Sequence, residues 1–150
     1  MRLLNSPAAM FVLLLGAAGA ARAAESPWNG TWKLDAARST PGIEDHAADG
    51  YAFHITEDGW IRWEIPSLGE VVEGHLDGKP MDIHRSKPTP GLTLAVEAEG
   101  PYVLHYKVAR NGKPAGEGRM TLVEDGKAWV DVSWQAGLTL QAAELIYTRQ

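Results

Sequence analysis

Five histidines, His46, His54, His75, His84 and His105, are the first residues whose chemistry asks for a place. His75 and His84 flank an Asp77-Gly78 dipeptide, with Asp82 close by, so a hairpin there would bring two imidazoles and a carboxylate toward one cation. Dense ligand spacing such as His-Glu-x-x-His is missing, and a solvated strand pair carries the same pattern, so no metal site is assigned. Asp45, His46 and Asp49 offer a general acid or base on a long loop without a nucleophile to serve. Ser133 in Asp131-Val132-Ser133 alternates outward and lacks the strand-turn-helix setting of an activated serine. No catalytic residue and no cofactor is assigned. An isomerase or cyclase working inside a barrel would need an inward carboxylate or histidine, and the alternation supplies none.

Aromatic side chains form the second constellation. Splitting each apolar run into its two faces and assigning the more apolar face to the interior places Trp32, Tyr51, Phe53, Trp63, Tyr102, Tyr106 and Trp134 inside, the last together with Val130 and Val132. Rings of this kind supply large apolar area with a hydroxyl or indole N–H to orient a head group. The ligand-contacting candidates are Tyr51, Phe53, Trp63, Tyr102, Tyr106, Arg119 and Trp134. The same rings would equally fill a barrel that holds nothing. Arg119 follows Gly116-Glu117-Gly118, where a glycine on each side of Glu117 can mark a bulge. Turned inward by that bulge, its guanidinium would hold a ligand carboxylate; left outward, it is a surface charge. Arg62, Glu64 and Glu73 are expected to form ion pairs on the outer face, each contributing a fraction of a kcal/mol.

The segments that must position these residues are short. Ten apolar-alternating runs lie between Thr31 and Arg149, separated by Gly, Pro, Asn and Asp, and helical periodicity is nowhere sustained. Asp58-Gly59, Asp77-Gly78, Asn111-Gly112 and Asp125-Gly126 tolerate the positive φ of tight turns, which predicts antiparallel pairing of sequential neighbours. An open sheet of that many strands would leave two edges, and closure removes them. The fold expected is an all-β, antiparallel up-and-down barrel of about eight to ten strands. Ala36 to Gly50 is the only long stretch without strand character and could hold a helical turn or a lid.

Residues 1–23 read as a cleavable signal peptide: Arg2, an uncharged run from Ala8 to Ala21, then Ala21-Arg22-Ala23 before a polar, turn-prone segment. The run is too short to span a membrane. A periplasmic or secreted protein, with one barrel domain over residues 24–150 and no membrane span after cleavage, is expected. Loss of Arg2 and Arg22 takes the basic residues from 14 to 12 against 19 acidic ones, a net charge of about −7. That balance provides no electrostatic footprint for nucleic acid or anionic lipid. With 0 cysteines, the core alone must hold the domain.

Trp28-Asn29-Gly30-Thr31-Trp32-Lys33-Leu34-Asp35 opens the first strand with Gly-x-Trp, and here the chain resembles the calycins, the lipocalins and fatty-acid-binding proteins. Arg38-Ser39, Asp77-Gly78-Lys79 and Asp125-Gly126-Lys127 make it similar to small secreted bacterial lipocalin-like proteins of unassigned function. The resemblance implies a barrel whose floor Trp32 seals, with Gly30 structural and Arg149 packing across the tryptophan. Some fifteen residues after the first strand are too few for the helix-turn-helix of fatty-acid-binding proteins, and the glycine-rich extension of haem-binding barrels is missing, which disfavours haem. Together these features point to a barrel that binds a small hydrophobic or amphipathic molecule. The alternative is a filled barrel acting as a protein-interaction or envelope-stress module.

Overall fold

The computed structural model describes residues 25–43, 47–137 and 143–150. The expected signal peptide lies outside them, as do Asp45 and His46. Ten strands form one antiparallel sheet: β1 (Gly30–Leu34), β2 (Gly50–Ile55), β3 (Trp60–Ile65), β4 (Glu70–His75), β5 (Asp77–Asp82), β6 (Leu92–Ala98), β7 (Val103–Arg110), β8 (Lys113–Val123), β9 (Ala128–Gln135) and β10 (Ala143–Arg149). Their order is β4-β3-β2-β1-β10-β9-β8-β7-β6-β5, so the first strand pairs with the last and the sheet curls into a nearly closed barrel of calycin-like form.

The turn chemistry explains most of this order. Asn111 and Gly112 both hold positive φ (50° and 74°) between the paired residues Arg110 and Lys113, the backbone a two-residue hairpin requires. Asp77-Gly78 behaves differently. It opens β5, one residue after β4 ends, yet these two strands stand at the two ends of the sheet order and form no ladder, contrary to the pairing its turn chemistry predicts. Where the two edges approach, Val71 of β4 and His84, just beyond β5, exchange backbone hydrogen bonds of 2.8 and 2.9 Å. Between them the Met81 side chain fills the seam: a Cβ on Gly74 would lie 2.5 Å from its sulfur. An unbranched thioether suits an irregular gap of this kind.

The interior is set by period-two alternation, cleanest in β3, where Ile61, Trp63 and Ile65 are buried and their neighbours are not. Residues paired across strands share a face, so Leu104, Met120, Asp131 and Leu145 form one inward line. His105, Arg119 and Val132 form the adjacent outward line. The phase read from the sequence for β9 is therefore reversed: Trp129, Asp131 and Ser133 point in, while Val130, Val132 and Trp134 point out. The rule of choosing the more apolar face fails here because the inward face carries two polar residues.

Candidate functional site

The end of the barrel near the start of β1 is closed by the residues before that strand. Trp28, 1% exposed, plugs it, its indole N–H donating to Pro101 O at 3.1 Å, while Trp32 donates to Trp28 O at 3.0 Å. The Asn29 side chain pairs with the Ile55 backbone as a strand would, accepting from its N–H and donating to its carbonyl. Arg149 lies over the Trp32 ring with 4.1 Å to the centroid and donates to the carbonyls of Pro27, Asn29 and Gly126. Gly30 makes this possible: its φ of +129° disfavours any side chain, and a Cβ there would lie 2.9 Å from the guanidinium. The Gly-x-Trp motif thus has a local physical reason. Arg38-Ser39 has one too, since Ser39 is buried and its hydroxyl accepts from Ile146 N, extending the edge of β10, while Arg38 bridges Asp35 and Glu124.

Above this floor, packed by Phe53 and Trp129, the barrel contains an interior cavity of about 180 Å³. Tyr51, Trp63, Tyr106, Trp129 and Asp131 form part of its wall, and Ile65, Ile83, Leu92 and Leu94 complete the apolar side. The rings meet largely edge to face: Tyr51 lies 5.4 Å from Trp63 and 5.3 Å from Trp129, and Trp63 lies 6.1 Å from Tyr106. Two polar features stand out in so apolar a wall. The Asp131 carboxylate, 7% exposed, accepts from the Tyr106 hydroxyl at 3.1 Å on each oxygen. The indole N–H groups of Trp63 and Trp129 are buried and have no hydrogen-bond partner.

Burial pushes the Asp131 carboxyl up to about 7, against the smaller opposing effect of the hydrogen bond from Tyr106. The tyrosines around it are driven upward, Tyr51 and Tyr106 chiefly by burial and then by neighbouring groups, Asp131 among them, and Tyr147 by burial and the Asp131 charge. All three therefore remain neutral hydroxyls. Buried Glu70, also on the cavity wall, has its own partner in Arg85 at 2.6 Å. Asp131 has no cationic partner among the described residues.

Of the residues singled out from the sequence, Tyr51, Phe53, Trp63 and Tyr106 converge on the interior, and Tyr51, Trp63 and Tyr106 reach the cavity. Three do not. Trp134 sits on the outer face, its indole donating to Glu117 at 2.7 Å, because β9 has the opposite phase. Arg119 is also outside, 3.7 Å from Glu99, since β8 runs through Gly116, Glu117 and Gly118 in regular register with β9. The irregularity in β8 lies earlier, opposite Val108 and Ala109. Tyr102 precedes β7, is 58% exposed and lines an open cleft beside Trp28 and Pro101. Sequence reasoning missed Asp131, Trp129 and Gly118. The glycine matters because a Cβ there would overlap the Tyr106 ring, and without one the tyrosine has room to reach Asp131.

His75, Asp82 and His84 do not gather, because β4 and β5 diverge, and no group of three metal-ligating side chains occurs among the described residues. No helix among the described residues is long and apolar enough to cross a membrane. The chain matches no protein-family model and no characterised protein.

Proposed function

We propose that this is an exported barrel, lipocalin-like in architecture, that binds a small hydrophobic or amphipathic molecule in its interior. The observation that carries the reading is the cavity of about 180 Å³ walled by Tyr51, Trp63, Tyr106 and Trp129, with the Asp131 carboxyl at its side. An apolar void of about 150 Å³ accepts benzene, so the volume here matches a body the size of one six-membered ring. With Arg119 outside, the carboxylate anchor of a fatty-acid-type site has no support.

Native mass spectrometry of the protein purified from its own compartment tests the reading, together with tryptophan fluorescence titrations against single-ring compounds. A stoichiometric small-molecule adduct, or saturable quenching, is expected. An empty barrel whose fluorescence no such compound alters would favour the filled-barrel interaction module instead. A second reading, proton transfer to a bound ligand, draws on the inward Asp131 that the sequence did not reveal. Solvent deuterium incorporation into a bound carbonyl compound, lost in Asp131→Asn, would establish it.

A further inference from the structure

Among the described residues the two buried acids are treated unequally. Glu70 is neutralised by Arg85 at 2.6 Å, and the Asp131 carboxylate receives only the hydroxyl of Tyr106. Asp131 lies on the inward line between Met120 on β8 and Leu145 on β10, so it cannot turn to solvent without disturbing the ladder. Four aromatic rings wall the same cavity, and neighbouring pairs stand at steep angles to one another, with interplanar angles of 88° for Tyr51 and Trp63, 68° for Tyr51 and Trp129, and 71° for Trp63 and Tyr106. The face of an aromatic ring carries negative π density that attracts a cation.

We propose that the ligand is an ammonium compound with a single-ring apolar body, its charged nitrogen paired with Asp131 in the cavity walled by Tyr51, Trp63, Tyr106 and Trp129. This rests on the interior-ligand reading above and specifies its chemistry. A buried carboxylate is costly until a cation or hydrogen-bond donors compensate it, and an ammonium group supplies both charge and donors at once. An anionic ligand would find no free cation there among the described residues: Arg85 is committed to Glu70, while Arg119 and Arg149 stand outside the cavity. It would also meet Asp131 itself. The chain's excess of acidic residues adds a weak long-range attraction for a cation.

The groups facing Asp131 make its ionisation the main titration in the cavity. Tyr106 from β7, Tyr51 from β2 and Tyr147 from β10 stay neutral, and the Glu70–Arg85 pair is internally balanced. With the Asp131 carboxyl raised to about 7 by burial, an ammonium ligand entering below that pH must displace one proton to solvent. Its affinity then falls by about tenfold for each pH unit below 7, and that of a neutral ligand does not.

Calorimetric titration of the whole protein at pH 8 with benzylamine, benzyl alcohol and benzoate tests the proposal. Benzylamine is expected to bind at least tenfold more tightly than benzyl alcohol, with benzoate weakest. Asp131→Asn is expected to remove that preference and leave benzyl alcohol within about threefold of its original affinity. Should the variant fail to fold, the pH series on the unmodified protein decides the same question. Equal or tighter binding of the alcohol or benzoate, or an amine affinity flat from pH 8 to 5.5, overturns the ammonium assignment while the interior-ligand reading stands. Failure of all three probes to bind removes both.

Discussion

Asp131 burdens the folded state in a way that pH can reveal. Its carboxyl sits at about 7 when folded and near 3.9 when the chain is unfolded. Between those values the folded protein holds the proton that the unfolded chain has lost, so stability from this group declines as pH rises from 4 to 7 and is level above. The full difference is roughly 4 kcal/mol at 1.36 kcal/mol per unit. Asp131→Asn should flatten the dependence: thermal melts at pH 5 and pH 8 are expected to differ less in the variant, which gains on the parent at the higher pH. Parallel curves for the two proteins would mean that Asp131 titrates in the ordinary range. Such a residue is hidden from pattern reading, because one polar side chain on an inward face looks like any outward one.

At the level of single strands, the sequence is legible wherever alternation and turn chemistry agree. β3 and the Asn111-Gly112 hairpin are both evident from residue order. β9 reads with the wrong face inward because Val130, Val132 and Trp134 outweigh Trp129, Asp131 and Ser133 in apolar character. The barrel reverses that preference only because β8 and β10 fix the register, a constraint no isolated strand contains. β8 carries its own consequence. Gly118 leaves space for the Tyr106 ring, so Gly118→Ala must push the ring away from Asp131 or shift the strand. Overpacking of this kind costs about 1–3 kcal/mol. Denaturant unfolding should show that loss, and the Tyr106→Phe variant should make the alanine less costly only if the hydroxyl, rather than the ring carbons beside it, is the main clash with the added carbon.

Across the whole molecule, the barrel is continuous from β4 round to β5 and weakly joined where those two meet. Among the described residues, the Val71–His84 bridge, the Glu70–Arg85 ion pair and the Met81 side chain hold the seam in place of a ladder. Hydrogen exchange should therefore protect the central amides of β7, β8 and β9 most, and those of β4 and β5 that face the seam least. Uniform protection around the barrel would show a seam as tight as any ladder. The sequence predicts a closed barrel without placing its weak point, because Asp77-Gly78 is a competent turn whichever way its strands diverge. The same seam neighbours the cavity through Ile83, Arg85 and Glu70.

Interior binding requires a molecule to enter that cavity, and the six tryptophans provide internal controls for it. Trp63 and Trp129 wall the cavity; Trp60 and Trp134 lie on the outer face. Indole N–H resonances followed by NMR while benzylamine, then benzyl alcohol, is added should show Trp63 and Trp129 moving saturably with at least one probe, and Trp60 and Trp134 still. Movement confined to Trp60 or Trp134, or none at either probe's solubility limit, would contradict an interior site.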